Sequence, residues 1–258
     1  MQPILLLTIL LAGANAALDC SVVPGNLKQI DAGDGAVYGA ATNGTIWRWS
    51  SGNWVTVPGE AIHVSVGPAG VWSINKAFQI YKLQDSNWAN VAGSLKQVDA
   101  GGNKFVSGAN SWGGIYCLSQ PAVLARPPPP AWVNIAGSLK YYSCGSLGCW
   151  GANALNAIYY RSGTSAAACA GSGWTYVAGS LVMVEASTDG RVYGVDSEGV
   201  AYQRDGITAI NPMGTKWTAL DFCSKIQHVS FDSGFLWLIN QNGNIYKCQD
   251  SINDNSVL

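Results

Sequence analysis

The chain has 258 residues and a formal net charge of −1 at pH 7, and its 14 lysines and arginines are scattered along its length. A nucleic-acid-binding protein needs a basic stripe to neutralise phosphates, so this class is excluded. Only 11% of the residues are charged, whereas 31 are glycine and 11 are tryptophan. Because glycine supplies the backbone conformations of tight turns, this composition favours a β protein with many short connections.

The first segment, Met1 to Ala17, has the features of a secretory signal. An apolar run from Ile4 to Leu11 precedes Ala14-Asn15-Ala16, a cleavage site of the small-x-small type. The run is too short to cross a bilayer, and the sequence has no later stretch that is long and apolar enough to do so. We therefore expect residues 1–17 to be removed and the mature protein to be secreted.

The remainder of the chain consists of six imperfect repeats. Their opening apolar residues recur at intervals of 33 to 45: Leu27, Ile62, Leu95, Leu139, Leu181 and Ile226. Each repeat alternates polar and apolar residues over short segments separated by Gly or Asn, which predicts four strands. Repeats of this kind are typical of propeller blades, so the predicted fold is all-β, a six-bladed β-propeller. We expect a single propeller domain over residues 18–250 and a disordered tail over residues 251–258.

The sixth repeat lacks its last strand, and the start of the chain supplies one. The repeat runs from Ile226 to Cys248 with three predicted strands, whereas Cys20-Ser21-Val22-Val23 precedes the first repeat. We expect this N-terminal strand to complete the sixth blade and close the ring. Cys20 would then lie beside Cys248, and the sequence predicts a disulfide between them. Such a bond would close a loop spanning most of the chain and contribute about 4–5 kcal/mol in the entropic model.

The positions of the other cysteines in the repeats narrow their pairing. Cys144 and Cys149 bracket the first turn of blade four, so they can join that hairpin. Cys117 and Cys169 fall in the connections after the third strands of blades three and four, which lie on one face of adjacent blades. Cys223 remains unpaired, either as a buried thiol or as the link of a disulfide-bonded homodimer. The spacings do not fit a zinc site, and no metal site is predicted.

Several stretches resemble sequences of fish-egg lectins, which are secreted proteins built from tectonin repeats: VPGNLKQIDAG, GSLKQVDAGG, AGSLKYYSCGSLGCWGAN, RDGITAINPMGTKW and IQHVSFDSGFLW. The resemblance extends from about Leu18 to Cys248. It implies a propeller that binds N-acetylglucosamine and related sugars on bacterial or egg-envelope glycoconjugates, with a role in eggs or innate immunity. It implies no required cofactor, although calcium is associated with some members. The unpaired Cys223 departs from the family pattern and suggests that a partner cysteine is missing near Gln241.

One face of the predicted propeller carries a repeated set of polar side chains. The turns between second and third strands contain Asn75, Asn110, Asn153, Asp196 and Asn240. The segments that lead into the first strands contain Lys28, Lys96 and Lys140. Amide and carboxylate groups bind sugar hydroxyls, and Trp112 in one of these turns is the best exposed ring for stacking on a pyranose. Several similar sites around one ring would suit a multivalent surface.

Each of these residues also has a purely structural interpretation. The Asn and Asp side chains can serve as Asx-turn formers, and the lysines can be ordinary solvated residues. The tryptophans that open the fourth strands are expected in the core between blades: Trp54, Trp88, Trp132, Trp174 and Trp217. Asn43-Gly44-Thr45 is an N-glycosylation sequon in a predicted turn, where a glycan would obstruct the blade-one part of the face.

Two other functional classes remain as alternatives. An enzyme would need a carboxylate pair, a metal cage or an activated nucleophile. The two histidines, His63 and His228, are predicted at non-equivalent positions, with His63 where other repeats have lysine. Asp31 and Asp99 share one repeat position, which indicates a structural role, so no catalytic residue is predicted. The second alternative is a non-enzymatic, protein-binding scaffold, which would present charged or apolar hot spots on one face.

Overall fold

A computed structural model describes residues 18–124 and 132–249. These residues form six four-stranded antiparallel sheets and one short helix. The first strands of neighbouring sheets contact one another in a closed ring, so the sheets are the blades of a six-bladed β-propeller. The predicted fold class is therefore confirmed. The predicted signal and the predicted tail lie outside the described residues.

The strands follow the repeats closely. Blades one to three contain β2 (Gln29–Gly33), β3 (Ala36–Ala40), β4 (Thr45–Ser50) and β5 (Asn53–Glu60); β6 (His63–Gly67), β7 (Gly70–Ile74), β8 (Ile80–Gln84) and β9 (Asn87–Val91); β10 (Gln97–Asp99), β11 (Val106–Ala109), β12 (Ile115–Leu118), α1 (Gln120–Leu124) and β13 (Val133–Ile135). Blades four to six contain β14 (Tyr141–Gly145), β15 (Gly148–Ala152), β16 (Ile158–Ser162) and β17 (Gly173–Val177); β18 (Met183–Ala186), β19 (Val192–Val195), β20 (Ala201–Arg204) and β21 (Trp217–Ala219); β22 (Ile226–Asp232), β23 (Phe235–Asn240), β24 (Ile245–Gln249) and β1 (Asp19–Val23).

The N-terminal strand closes the ring as the repeat pattern predicts. Strand β1 pairs antiparallel with β24, and Cys20 lies directly opposite Cys248. A disulfide joins the two residues. Blade six is thus built from both ends of the described chain, and the ring has no unpaired gap at which a neighbouring blade could separate.

The other cysteines pair as their positions in the repeats predict. Cys144 and Cys149 are bonded across the β14–β15 hairpin, and Cys117 is bonded to Cys169. Cys117 lies within β12 rather than in the connection that follows it. Cys223 is free and exposed, so the expectation of a buried thiol is wrong.

The core lies between blades, where each sheet covers its neighbour. The aromatic residues of the second strands are 5% exposed or less: Tyr38, Trp72, Trp150, Tyr193 and Trp237. Because both faces of every blade carry apolar residues, no blade can bury its own surface, and the ring stabilises all six together. No helix in the described part of the chain is long and apolar enough to cross a membrane.

The first strands surround the propeller axis and set an alternating pattern. At one register position three acids alternate with three serines around the ring: Asp31, Ser65, Asp99, Ser143, Glu185 and Ser230. The preceding inward position holds Gln29, His63, Gln97, Tyr141, Met183 and His228. The prediction that the histidines are non-equivalent is therefore wrong. Blade two begins at Ala61, which donates to Gly44 as Leu27 donates to Gly243, so His63 aligns with Gln29 and not with Lys28.

Candidate functional site

Two sets of connections meet on one face of the ring, as predicted. In each blade, a residue at the start of the first strand or two positions before it donates its backbone N–H to a carbonyl in the second-to-third-strand turn of the preceding blade. Examples are Leu95 to Phe78 at 3.1 Å and Leu181 to Asn156 at 2.9 Å. These bonds hold each turn beside the start of the next blade and create a ring of equivalent clefts.

The Asn and Asp residues of these turns form Asx turns. In each turn the side-chain Oδ1 accepts backbone N–H groups from the residues two and four positions later. Asn110 Oδ1 accepts from Trp112 at 3.0 Å and Gly114 at 2.7 Å, and Asp196 Oδ1 accepts from Glu198 and Val200 at 2.9 Å. Asn75 and Asn153 have the same pattern. The structural role is therefore real, and it leaves the second polar atom of each side chain for other contacts.

Asn240 differs from the other turn residues. It is 3% exposed, and its Nδ2 donates to Ser224 Oγ at 3.1 Å and Tyr246 OH at 3.4 Å. Phe222 packs on Tyr246 with ring centroids 4.9 Å apart, where the other blades have the fourth-strand tryptophan beside the third-strand aromatic. Asn240 cannot reach a ligand from this position, so its prediction as a binding residue is corrected. Cys20, which replaces that tryptophan, gives blade six a different local arrangement.

The three lysines lie at the starts of the first strands. Lys28 and Lys96 are exposed, whereas Lys140 is half-buried and its Nζ donates to Asn156 Oδ1. Burial lowers the pKa of Lys140, and the charge of Lys96 in the neighbouring blade lowers it further. The charges of Lys96 and Lys140 therefore lie near each other on the turn-bearing face, between blades three and four.

Three clefts of this face are concave pockets at equivalent places in blades one, three and five. Their volumes are about 290, 300 and 260 Å³. Each is bounded by the Gly-Ser or Gly-Asn linker before the blade, the third-strand aromatic residue and the fourth-strand tryptophan. The blade-one pocket includes Gly25, Asn26, Trp47 and Trp54. The blade-three pocket includes Ser94, Asn110, Trp112, Tyr116 and Trp132. The blade-five pocket includes Ser180, Asp196, Ser197, Tyr202 and Trp217.

The blade-three pocket brings together two of the predicted residues. Asn110 and Trp112 both line it, and the Trp112 side chain is 83% exposed. Trp132 also lines the pocket, and its Nε1–H donates to Ala92 O at 2.8 Å. Flat aromatic rings together with an amide suit a small polar ring more than an extended peptide.

The fourth-strand tryptophans, which the sequence predicts in the core between blades, do pack against the buried clusters, but none of them is fully buried. They are half-buried, and those of blades one, three and five form pocket walls. Their partner is a linker glycine at φ +111° to +134° in blades one to five: Gly25, Gly59, Gly93, Gly137 and Gly179. A Cβ at any of these positions would lie within about 3.3 Å of the indole. The recurring pairing of a linker glycine with a fourth-strand tryptophan is the signal in the sequence that marks the clefts between blades, three of which are the pockets described above.

The propeller axis is the second polar region, and burial strongly shifts the pKa values of its ionisable side chains. Burial raises the pKa of Asp31 to about 6, while Asp31 Oδ2 accepts from Val66 N at 2.6 Å. Burial, and then the charge of Asp31, raises the pKa of Asp99 and of Glu185 well above the usual range. Burial lowers the pKa of His228 to about 3. These carboxyls bond serine and backbone groups of neighbouring blades, which indicates that they tie the blades together.

The carboxylates do not assemble a metal site. Within residues 18–124 and 132–249, no group of three or more His, Cys, Asp or Glu side chains could hold a metal ion. Asp99 instead accepts from Ser143 Oγ at 3.0 Å and Cys144 N at 3.0 Å. The axis therefore uses its acids as hydrogen-bond acceptors between blades.

Comparisons with known proteins agree with this architecture. A family model described as Tectonin domain matches residues 26–241. The fish-egg lectin of Cyprinus carpio is 50% identical over 234 residues, which cover 90% of this chain and 98% of that protein. Among solved structures, U3-55K has 9% identity and a TM-score of 0.57, with 90% and 98% of the two chains covered. YCF48 from Cyanidioschyzon merolae has 15% identity and a TM-score of 0.53, with 90% and 85% covered. The last two similarities show the propeller fold alone.

Proposed function

Because this chain belongs to the tectonin family, we propose that it is a secreted lectin that binds N-acetylglucosamine-type sugars at pockets repeated around one face of the propeller. The observation that carries the proposal is the recurrence of one pocket design in blades one, three and five. Each pocket pairs aromatic walls with a few polar groups, which is the general composition of small-ligand sites. The fish-egg lectin similarity extends over the whole ring that carries these pockets.

The blade-three pocket is the clearest site for an acetylated sugar. Asn110 Oδ1 is used within its turn, so Nδ2 is the atom that would donate to an acetamido carbonyl or a hydroxyl. Trp112 would lie against the apolar face of the pyranose ring, and the Ser94 hydroxyl adds a donor and acceptor at the linker. These contacts require no metal ion, so we propose binding without a cofactor.

Repetition of the pocket matters more than the strength of any one site. Small open pockets bind single sugars weakly, but simultaneous binding to a repeating glycan raises the overall affinity by about 10²–10⁴. Bacterial or egg-envelope glycoconjugates present such repeats. We therefore propose a role in egg or innate immune defence for the multivalent face.

The direct test is capture of the mature protein on N-acetylglucosamine beads, followed by separate elution with free N-acetylglucosamine, galactose and EDTA. We expect free N-acetylglucosamine to release the protein and galactose and EDTA to leave it bound. Release by EDTA would show a calcium requirement. If the folded protein binds neither these beads nor a panel of other glycans, the result would contradict the lectin proposal and favour the protein-binding scaffold.

The matched variants are Trp112→Ala and Leu155→Ala. The two residues occupy the same turn position in blades three and four and are 83% and 86% exposed, so neither truncation removes buried packing. We expect Trp112→Ala to weaken N-acetylglucosamine binding at one site by about tenfold, which corresponds to about 1.4 kcal/mol. Leu155→Ala should leave titration calorimetry unchanged. Equal binding by both variants would exclude Trp112 from the site.

A further inference from the structure

The pockets of blades three and five have the same frame but different charge. Asn110 and Asp196 occupy equivalent turns, and each uses Oδ1 for two backbone N–H groups. The turn therefore accepts either Asn or Asp, and the two residues differ only in the second polar atom of the side chain. In blade three that atom is a neutral N–H donor, whereas in blade five it is a carboxylate oxygen.

The second oxygen of Asp196 is held inside the blade-five pocket. Tyr202 OH donates to Asp196 Oδ2 at 3.1 Å, and both residues line the pocket together with Trp217. Burial and the bond to Asp196 raise the pKa of Tyr202, so its hydroxyl remains a donor. One hydroxyl donor leaves further acceptor capacity on Oδ2, because an ionised carboxylate oxygen has two lone pairs.

The other charges near this pocket do not neutralise Asp196. Glu198 in the same turn is exposed and adds negative charge. The Arg204 guanidinium lies 5.2 Å from the Trp217 ring centroid, and its Nε is bonded to Met213 O at 2.8 Å. The described lining of the pocket contains no lysine or arginine. Lys225 has its Cβ beside Gly199 on the blade-six side of the turn and is not part of the lining.

We propose that the blade-five pocket is a site for a protonated amino sugar, a hexosamine whose 2-amino group is not acetylated, and that Asp196 is its specificity-determining residue. The inference rests on the proposed lectin function and divides its pockets into two chemical classes. Asp196 Oδ2 accepts from the ligand ammonium group in a charge-assisted hydrogen bond. Trp217 supplies an aromatic wall for the sugar ring. The blade-three pocket, with Asn110 in place of the carboxylate, prefers the acetylated sugar.

The test is a titration of the full mature protein with two tetrasaccharides, one of β1,4-linked glucosamine and one of β1,4-linked N-acetylglucosamine. The wild-type protein should bind both. Asp196→Asn should weaken glucosamine-tetramer binding by about tenfold and should not weaken N-acetylglucosamine-tetramer binding, because it gives blade five the amide found in blade three. Asn110→Asp should gain glucosamine-tetramer binding, because it places the same carboxylate in the blade-three frame. Both substitutions preserve Oδ1, so the turns remain intact.

Glu198→Gln is the control for general attraction between a cationic ligand and an acidic turn. It removes one negative charge from the same turn, outside the pocket lining, and should leave glucosamine-tetramer binding within about twofold of the wild type. Binding that involves Asp196 should also weaken as salt rises, because the ligand charge contributes to it.

The outcomes separate this proposal from the lectin proposal. Wild-type binding of the acetylated tetramer without the glucosamine tetramer would overturn the amino-sugar site and keep the lectin. Equal losses in Asp196→Asn and Glu198→Gln would also overturn it, because the effect would then be general electrostatics. If the folded protein binds neither tetramer, both the amino-sugar site and the proposed N-acetylglucosamine specificity are overturned.

Discussion

At the scale of single residues, the atoms of one side chain can have separate tasks. In the Asx turns of Asn110 and Asp196, Oδ1 closes the turn and the side chain also lines a pocket, so structure and binding do not compete for the same atom. This separation explains why the turn position is nearly constant around the ring while its chemistry changes between Asn110 and Asp196. The exposed residue two positions later also varies freely, because only its backbone N–H is used by the turn.

The linker glycine beside the pocket tryptophan is the residue whose substitution should be most damaging on this face. Gly93 has φ +134°, and an added Cβ would lie 2.8 Å from Trp132 Nε1 and 3.1 Å from Ile80 Cδ1. We expect Gly93→Ala to lower the free energy of unfolding by about 3 kcal/mol, from backbone strain and overpacking together. Gly52 has φ +82° with no atom near its Cβ position, so Gly52→Ala should lose only about 1 kcal/mol. Urea unfolding compares the two variants, and equal losses would show that the indole contact contributes nothing.

The sequence predicted the turn residues but not the full walls of the pockets. Asn110 and Trp112 are recognisable because polar and exposed aromatic residues in a turn suggest binding. Trp132 is predicted in the core because five of the six repeats have a tryptophan at this position, and a repeated residue suggests packing. Its actual position depends on how closely the linker at Gly93 approaches the indole, and that distance is set by the packing of two blades.

At the scale of strands, alternation and turn residues were sufficient to locate the blades and the ring closure. The missing fourth strand of blade six predicted the pairing of β1 with β24 because an unpaired edge would otherwise remain. The register of β6 was less accessible. Ala61 and Ile62 are both apolar, so the sequence alone allows blade two to be aligned from either residue. Alignment from Ile62 puts His63 one position away from the inward position that it occupies in the structure.

The Cys20–Cys248 disulfide between β1 and β24 should contribute more to stability than the disulfide within the β14–β15 hairpin. Both bonds join directly opposed residues on adjacent antiparallel strands, but their sequence separations are 228 and 5. In the entropic model the loss on removal is about 5 kcal/mol for Cys20→Ala/Cys248→Ala and about 2 kcal/mol for Cys144→Ala/Cys149→Ala. Guanidinium unfolding of both double variants measures this difference. An equal or larger loss for the hairpin variant would show that local packing outweighs loop closure.

At the scale of the whole molecule, the axis has an approximate three-fold pattern within a six-bladed ring. Blades one, three and five contribute acids, and blades two, four and six contribute serines at the same register position. Ser230 Oγ donates to Asp31 and Ser143 Oγ donates to Asp99, so each of these contacts joins two different blades. Aligning the six repeats with one another reveals the alternation of acids and serines. The proximity of the acids, however, depends on closure of the ring.

This pattern makes stability depend on pH through two opposing contributions. The pKa of Asp31 is raised from 3.8 to about 6, so the folded state holds a proton that the unfolded state has lost between these values. That contribution is complete below pH 3.8 and is lost as the pH rises through 6. The pKa of His228 is lowered from 6.5 to about 3, so its contribution is complete above pH 6.5 and is lost as the pH falls through 3.

Single substitutions should therefore change the pH profile in opposite directions near pH 5. Asp31→Asn removes a proton held by the folded state, so the slope of unfolding free energy against pH should become more positive, by up to about 1.4 kcal/mol per pH unit. His228→Gln, which installs the residue found at the equivalent Gln29 and Gln97 positions, should make the slope more negative by a similar amount. Urea unfolding between pH 4.5 and 5.5 measures both slopes. If the slope changes in the same direction in both variants, one of the two groups is charged in the folded ring near pH 5. Either the Asp31 carboxyl is then ionised or the His228 ring is protonated, and the buried axis would need a counter-charge beside it.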